Sequence, residues 1–348
     1  MKIAITGNMG YVGPKVVKRL RSVYPNAELI GIDTGYFAHC LTAAKQLPET
    51  KIDKQYYYDM RKIPDDLFSD VDVIVHLAAI SNDPMGNRFE KPTIAINSIA
   101  SKDLIKKAKA KGVKSFVFAS SCSMYGAVGD APRNEEDPLN PLTTYATSKV
   151  FVEKILKEAA DENFKVTCLR FGTACGMSER LRLDLVLNDF VANAIASKKI
   201  VLLSDGSAWR PLIHIEDMAR AIEWAIERKE KNGGTFLAIN TGSERWNYQI
   251  RDLANSCAEI IGGVTVEMKT GAASDKRSYK VNFDRYKKLA PNHQPNITIK
   301  TAIKELYEGL ISMDFKNEDF RNTWFMRLKV LTSHIEAGRL DENLFWKA

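Results

Sequence analysis

The first thirteen residues, MKIAITGNMGYVG, constrain the fold of this chain more than any other stretch. An apolar run, Ile3-Ala4-Ile5, meets glycines at positions 7, 10 and 13, and the amphipathic PKVVKRLRSVY follows. The order predicts a strand, a glycine-rich turn and the start of a helix, with Pro14 where a first helical residue needs no N–H. Gly7, Gly10, Tyr11, Val12 and Gly13 would let backbone N–H groups approach a phosphate, with the positive end of the helix dipole behind them. The spacing differs from the commoner G-x-G-x-x-G of dinucleotide sites. Asp33, which ends the apolar run LIGID twenty residues after Gly13, strengthens the reading. A carboxylate there suits a ribose 2′-hydroxyl and repels a 2′-phosphate, so NAD is expected over NADP. The plainer alternative is a tight turn that binds nothing.

The first 170 residues alternate strand and helix, the pattern of a parallel sheet covered on both faces. Strands are expected near 2–6, 28–32, 54–57, 71–75, 114–119 and 165–170, and helices near 11–23, 95–111 and 143–161. The expected fold is α/β, a Rossmann-type doubly wound parallel sheet over residues 1–170. A smaller α/β C-terminal substrate lobe, with helices near 184–197, 216–229, 249–261 and 299–311, would occupy 171–348 and end in a helical tail from Asp314. Ligands bind at the C-terminal ends of such strands. Leu77, Ala78 and Ala79, closing the run VDVIVHLAA, therefore either pass under a cofactor or pack the strand end. Asp59 reads as an acceptor for an adenine amino group, with Met60 over the ring, or as a helix N-cap. The turn-rich loop 80–92 places Ser81 and Asn82 at the substrate. Asn97, on the next helix, is expected to be buried and bonded to backbone.

The chain has 348 residues, 45% hydrophobic and 27% charged, ordinary for a globular enzyme. No apolar stretch approaches a membrane span, and no secretory leader is visible, so a cytoplasmic location is expected. The five cysteines lack metal spacing, and no metal is expected. A net charge of +7 raises nucleic acid as a partner, but the lysines are scattered without interleaved aromatics. A solvated surface, with a few arginines for a phosphorylated small molecule, accounts for the charge better.

The segment KSFVFASSCSMYG ends a β-favouring run in hydroxyls, among them Ser121 and Ser123. Tyr145 and Lys149 follow, four apart and so on one helix face. A phenol's ordinary pKa of about 10 is too high for a base at neutral pH, and a nearby ammonium would lower it. Ser121 would bond the same substrate oxygen. The set serves general acid–base catalysis while a nicotinamide carries the hydride.

TGNMGYVG, Asp33, YDMR, HLAA, FASSCSMYG, YATSK, LRFGTACG and RPLIHIED together resemble the extended short-chain dehydrogenase/reductases, in their NAD-dependent nucleotide-sugar epimerase/dehydratase family. The resemblance covers about residues 1–220 and weakens toward 311. It implies Ser121 and Tyr145 as catalytic groups and Lys149 on the nicotinamide ribose. It also implies Arg210, with Asn188 and Arg277, on the diphosphate of a nucleoside-diphosphate sugar. A homodimer through the helices near 95–111 and 143–161 is implied too. Two departures bear on the reaction. Cys122 and Ser123 stand where dehydratases of the family carry an Asp-Glu acid–base pair, and Thr173 replaces a common Asn at the substrate. The first argues against a standard dehydratase and towards an epimerase or a ketone/alcohol oxidoreductase. The second leaves the substrate contact at Thr173 open. The leading expectation is an epimerase acting at C4 through a transient 4-keto sugar. The alternatives are a dehydratase or 4-keto reductase on the same substrates, or a non-catalytic NAD-sensing module.

Overall fold

A computed structural model describes residues 1–42, 44–127, 131–269 and 278–347. Its centre is a seven-stranded sheet built from β1 (Lys2–Thr6), β2 (Glu28–Asp33), β3 (Lys54–Tyr57), β4 (Val73–His76), β5 (Ser115–Ser121), β6 (Lys165–Phe171) and a later strand, Phe236–Thr241. Every pairing is parallel, with Ile3 opposite Leu29 on one side and Val73 on the other. The order across the sheet runs from the late strand through β6, β5, β4, β1 and β2 to β3, so the chain reverses direction between β1 and β4. That reversal opens a crevice at the C-terminal ends of β1 and β4.

The strands read as near-continuous apolar runs because both faces are covered. Ile3, Ile5, Val73 and Val75 face α1 (Gly13–Val23), whose Val16, Val17 and Leu20 form its apolar stripe. Ala4, Ile74, Phe116 and Phe118 face the opposite layer. Two short helices, α2 (Asp83–Arg88) and α3 (Glu90–Thr93), lead into a π-helical segment, Ile94–Ala100, and then α4 (Ser101–Ala110). The backbone stays helical through both junctions, so the helix expected at 95–111 starts five residues earlier. With α5 (Thr144–Ala159) it forms the second layer.

Beyond β6 come β7 (Thr173–Cys175), α6 (Val186–Ala196), β8 (Lys199–Leu202), β9 (Trp209–His214) and α7 (Ile215–Glu227). The late strand is β10. After it come β11 (Asn247–Gln249), α8 (Ile250–Ile261), β12 (Thr265–Met268), α9 (Asp284–Leu289), α10 (Ile299–Ser312) and α11 (Arg327–Glu336). Strands β11, β9 and β7 form one small sheet, and β12 and β8 another.

Two expectations about organisation need correction. The dinucleotide half does not end at residue 170, because β10 joins the main sheet beside β6 and α7 packs on α1. A short apolar strand carries no mark of the sheet it joins, and here about sixty intervening residues belong largely to the smaller lobe. The tail after Asp314 also packs on the first half. Leu331, Leu340 and Leu344 bury against Tyr36, Ile80, Met85, Phe89 and Ile96.

Candidate functional site

A cleft of about 490 Å³ opens at the C-terminal ends of the central strands. Gly7, Gly10, Tyr11, Val12 and Gly13 form its floor, with Leu77, Ala78 and Ala79 beside them. Gly7 has φ +74°, and a Cβ there would stand 2.6 Å from Ala78 N. At Gly13 a Cβ would stand 1.9 Å from the Asn8 carbonyl oxygen. Side chains are thus excluded where a ligand's phosphates would approach. Val12 places no side-chain cap on α1, and the first turn holds no acid, so the terminal amides are left for an anion. This cradle fits a dinucleotide diphosphate.

Asp33, Asp59 and Met60 line the adenosine end of the same cleft. Asp33 accepts from Met9 N at 3.0 Å and from Gly35 N at 2.8 Å, and burial raises its pKa. A carboxylate accepts about four hydrogen bonds, so about two remain for a ribose. Asp59 does cap a helical turn, accepting from Arg61 N at 2.8 Å, and also pairs with the Arg61 guanidinium. It lines the cleft as well, so the two readings coexist.

At the other end stand Ser121, Ser123, Tyr145, Lys149, Thr173 and Arg210, with Ser81 and Asn82 on the facing loop. Ser121 Oγ donates to Ser123 Oγ at 2.9 Å and accepts from Ser123 N at 3.2 Å. Thr143 caps α5 through Ala146 N and donates to Asp83 at 2.8 Å, which fixes the turn that presents Tyr145. Asn97 holds Ile80 by both backbone groups, at 2.8 and 3.0 Å, and reaches Ser148 on α5. It is buried and bonded to backbone, as its sequence setting predicts.

The electrostatics differ from expectation in one respect. Burial pushes the Tyr145 phenol up to about 12, and the opposing influences are the Ser121 hydrogen bond and the Arg182 charge rather than Lys149. Lys149 Nζ donates to Ala119 O at 2.7 Å and sits 5.5 Å from the Tyr145 ring centroid, beside the ring. Burial pulls Lys149 itself down to about 7, well below its ordinary value. Helical spacing put the two side chains on one face but could not give the depth at which both are buried.

One further residue departs from its expected place. Asn188 is fully buried outside the cleft. It accepts from Gly176 N at 3.1 Å and donates to Tyr11 Oη at 2.9 Å and Arg182 O at 2.8 Å, which leaves it nothing to offer a diphosphate. Arg277 lies outside the described residues. Cys122 is buried with its thiol on Arg170 O at 3.1 Å, and burial raises its pKa, so it provides no acid in the cleft.

Several cleft residues escaped the sequence reading: Asp83, Arg182, Asp184, Tyr279 and Arg327. Arg182 and Asp184 form a buried ion pair at 2.8 Å, and Arg182 also donates to Ser81 Oγ while Asp184 accepts from Asn82. The Arg-Leu-Asp spacing in RLRLD was the available signal. Arg327 sits in the tail with no motif around it.

A model of the NAD dependent epimerase/dehydratase family matches residues 3–241. A UDP-glucose 4-epimerase of Halalkalibacterium halodurans is 26% identical over 285 residues, 75% of this chain and 81% of its own. Among solved structures, MoeE5 in complex with UDP-glucuronic acid and NAD superposes with TM-score 0.76 at 20% identity, covering 90% of this chain and 99% of its own. TunA, an NAD-dependent NDP-hexosamine 5,6-dehydratase, superposes with the same TM-score at 21% identity and the same coverage.

Proposed function

The chain belongs to the NAD-dependent epimerase/dehydratase family, and on that premise we propose that it is a nucleotide-sugar epimerase acting at C4 through a transient 4-keto sugar. The observation that carries the reading is one cleft lined by Ser121, Tyr145 and Lys149, with no acid at Cys122 or Ser123. The 4-epimerase similarity of the Halalkalibacterium relative supports it.

In this proposal Arg210 pairs with the substrate diphosphate, for which a guanidinium fork is suited. Ser121 donates to the reacting sugar oxygen and Tyr145 removes its proton. Bound NAD supplies the hydride chemistry, as acceptor and then as donor at the same carbon. The ketone turns in the cleft, and Tyr145 returns the proton to the inverted alcohol. Tyr145 is a phenol in the free cleft, so base action calls for positive charge beside it. Arg182 and protonated Lys149 are cations built into the walls. Ser81, Asn82, Ser123 and Thr173 are proposed sugar contacts.

Asp83, a carboxylate in the same cleft, favours a dehydratase as the second reading. Incubation with UDP-, GDP-, CDP- and dTDP-sugars separates the two. An epimer is expected, and a stable 4-keto-6-deoxy product without epimer from every sugar overturns the proposal. Tyr145→Phe should cut turnover by roughly 10²–10⁴ while NAD stays bound. A non-catalytic module would be indifferent to that change.

The proposal extends to a homodimer through Ile94–Ala110 and α5, which expose Ile99 (63%) and Phe151 (38%). Ile99→Glu should lower the sedimentation mass by half, and an unchanged mass removes that interface. Five buried, unpaired cysteines support a cytoplasmic setting.

A further inference from the structure

Arg327, the first residue of α11, is 1% exposed and lines the cleft. Burying a guanidinium is costly unless an anion accompanies it. Its neighbours are provided for. Arg180 pairs with Glu49 at 2.7 Å and Arg182 with Asp184 at 2.8 Å. Arg327 makes no ion pair among the described residues. Nη1 donates to Trp324 O at 3.2 Å and Nη2 to Arg180 O at 2.8 Å. Two of five N–H donors are thus used, both on neutral carbonyls. Cys40 is also near, but burial keeps it a thiol. Arg180 and Arg182 thus each have an engaged carboxylate, whereas Arg327 lines the cleft with no carboxylate of its own among the described residues.

The surroundings indicate which anion fits. Arg327 packs over the Phe37 ring, 5.0 Å from its centroid, four residues after Asp33. Its acceptor Arg180 O belongs to a residue whose N–H is bound by Ser178 Oγ, and Ser178 Oγ in turn donates to Tyr11 O at 2.7 Å. Arg327 is thus tied through two intermediaries to the glycine turn. The tail is firmly mounted. Trp346 Nε1 donates to Thr34 O at 2.7 Å, Tyr36 Oη donates to Leu344 O, and the Arg61 guanidinium lies 3.4 Å from the Phe345 ring centroid.

We infer that Arg327 is a diphosphate-binding residue, and that the C-terminal tail brings it to the dinucleotide's diphosphate opposite the glycine turn. The tail thereby forms a wall of the cofactor site, and a cation supplied from the far end of the chain complements the uncapped helix at its beginning. Charge-assisted hydrogen bonds of this kind contribute enough to change affinity roughly tenfold to hundredfold.

The inference rests on the dinucleotide reading and not on the epimerase assignment. Protein stripped of cofactor is titrated with NAD, with adenosine and with UDP, as parent and as Arg327→Gln. Glutamine retains donors for the two carbonyls, and Arg327→Met replaces it should it not fold. Expected are a tenfold or greater loss for NAD, unchanged adenosine and UDP binding, and a melting temperature of the stripped variant no lower than the parent's. NAD affinity within twofold of the parent overturns the inference, as does an equal loss for adenosine. Loss of UDP affinity with NAD binding intact reassigns the arginine to the sugar nucleotide and overturns it too. A parent that binds no NAD overturns the dinucleotide reading instead.

Discussion

Replacing Lys149 by methionine should stabilise the cofactor-free protein at low pH, and the gain should vanish as pH approaches about 10. Burial pulls this ammonium from its ordinary 10.5 to about 7. Between those values the unfolded chain holds the proton and the folded chain has released it. The unfolded state then binds more protons, so the parent gains stability as pH rises through this window. The gap spans about 3.5 pH units, and at about 1.36 kcal/mol each it is worth on the order of 5 kcal/mol. Below pH 7 lysine is charged in both states and the cost of burying it is present in full. Methionine removes that cost. It also removes the bond from Nζ to Ala119 O, 2.7 Å long and worth about 1 kcal/mol. The variant should therefore be more stable than the parent by a few kcal/mol at pH 6. The difference should shrink to about zero at pH 10, where the cost of deprotonating the lysine on folding nearly offsets the lost bond. Urea denaturation of the stripped proteins at pH 6, 7.5, 9 and 10 measures the difference. Parallel pH dependences in the two proteins would refute the reasoning, since they would mean that Lys149 titrates alike folded and unfolded. Turnover should be lost in the variant at every pH.

Gly13→Ala should abolish NAD retention, because its Cβ would lie 1.9 Å from the Asn8 carbonyl, whereas Gly10→Ala, with 3.2 Å to Gly7 O, should be milder. The dinucleotide released from each purified variant on denaturation is the readout. Arg182→Met combined with Asp184→Asn removes a cation that lowers the Tyr145 pKa. The rising limb of the pH–rate profile should move to higher pH by roughly 1 unit. Glu153→Gln breaks a buried pair with Arg170, 2.7 Å long and 7% exposed on each side. It should cost about 3–5 kcal/mol in urea denaturation.

The first half of this chain was legible because its signals are local. A glycine turn between an apolar run and an amphipathic helix specifies strand, turn and helix without reference to anything distant. Tyr145 and Lys149 share a face by helical spacing alone. What stayed hidden is set by tertiary placement. The strand FLAINT gives no sign that it will pair with β6. Asn188 lies in a helix whose first turn could have met a ligand, and only packing shows its amide spent on Tyr11, Gly176 and Arg182. Lys149 was expected to tune Tyr145, but its influence depends on distance to the hydroxyl and on burial, neither of which spacing supplies. Arg327 lies in an ordinary amphipathic helix and acquires its setting only when the tail packs on the segment after β2 and on α2.

The Ser121–Tyr145–Lys149 set is held by a polar chain behind it. Ser120, adjacent to Ser121, donates to Glu153 at 2.6 Å, and Glu153 lies one helical turn beyond Lys149. Arg170 on β6 grips Glu153 through Nε and Nη2 and donates to Tyr125 Oη at 3.0 Å, and Tyr125 donates to Asn240 on β10 at 2.7 Å. One chain of bonds thus joins β5, α5, β6 and β10 directly beneath the cleft. A buried ion pair is weak evidence for stability, since apolar residues of equal volume often do as well. Here it serves geometry, because apolar contacts would tolerate a sliding helix and a forked carboxylate–guanidinium pair fixes its register. The Glu153 charge also raises the Lys149 pKa against the pull of burial. Without it, the Lys149 pKa would fall further, and the cation next to the Tyr145 ring would be less populated. The residue that locks the helix is therefore also the one that keeps the lysine able to carry charge, which is why Glu153→Gln should lower turnover as well as stability.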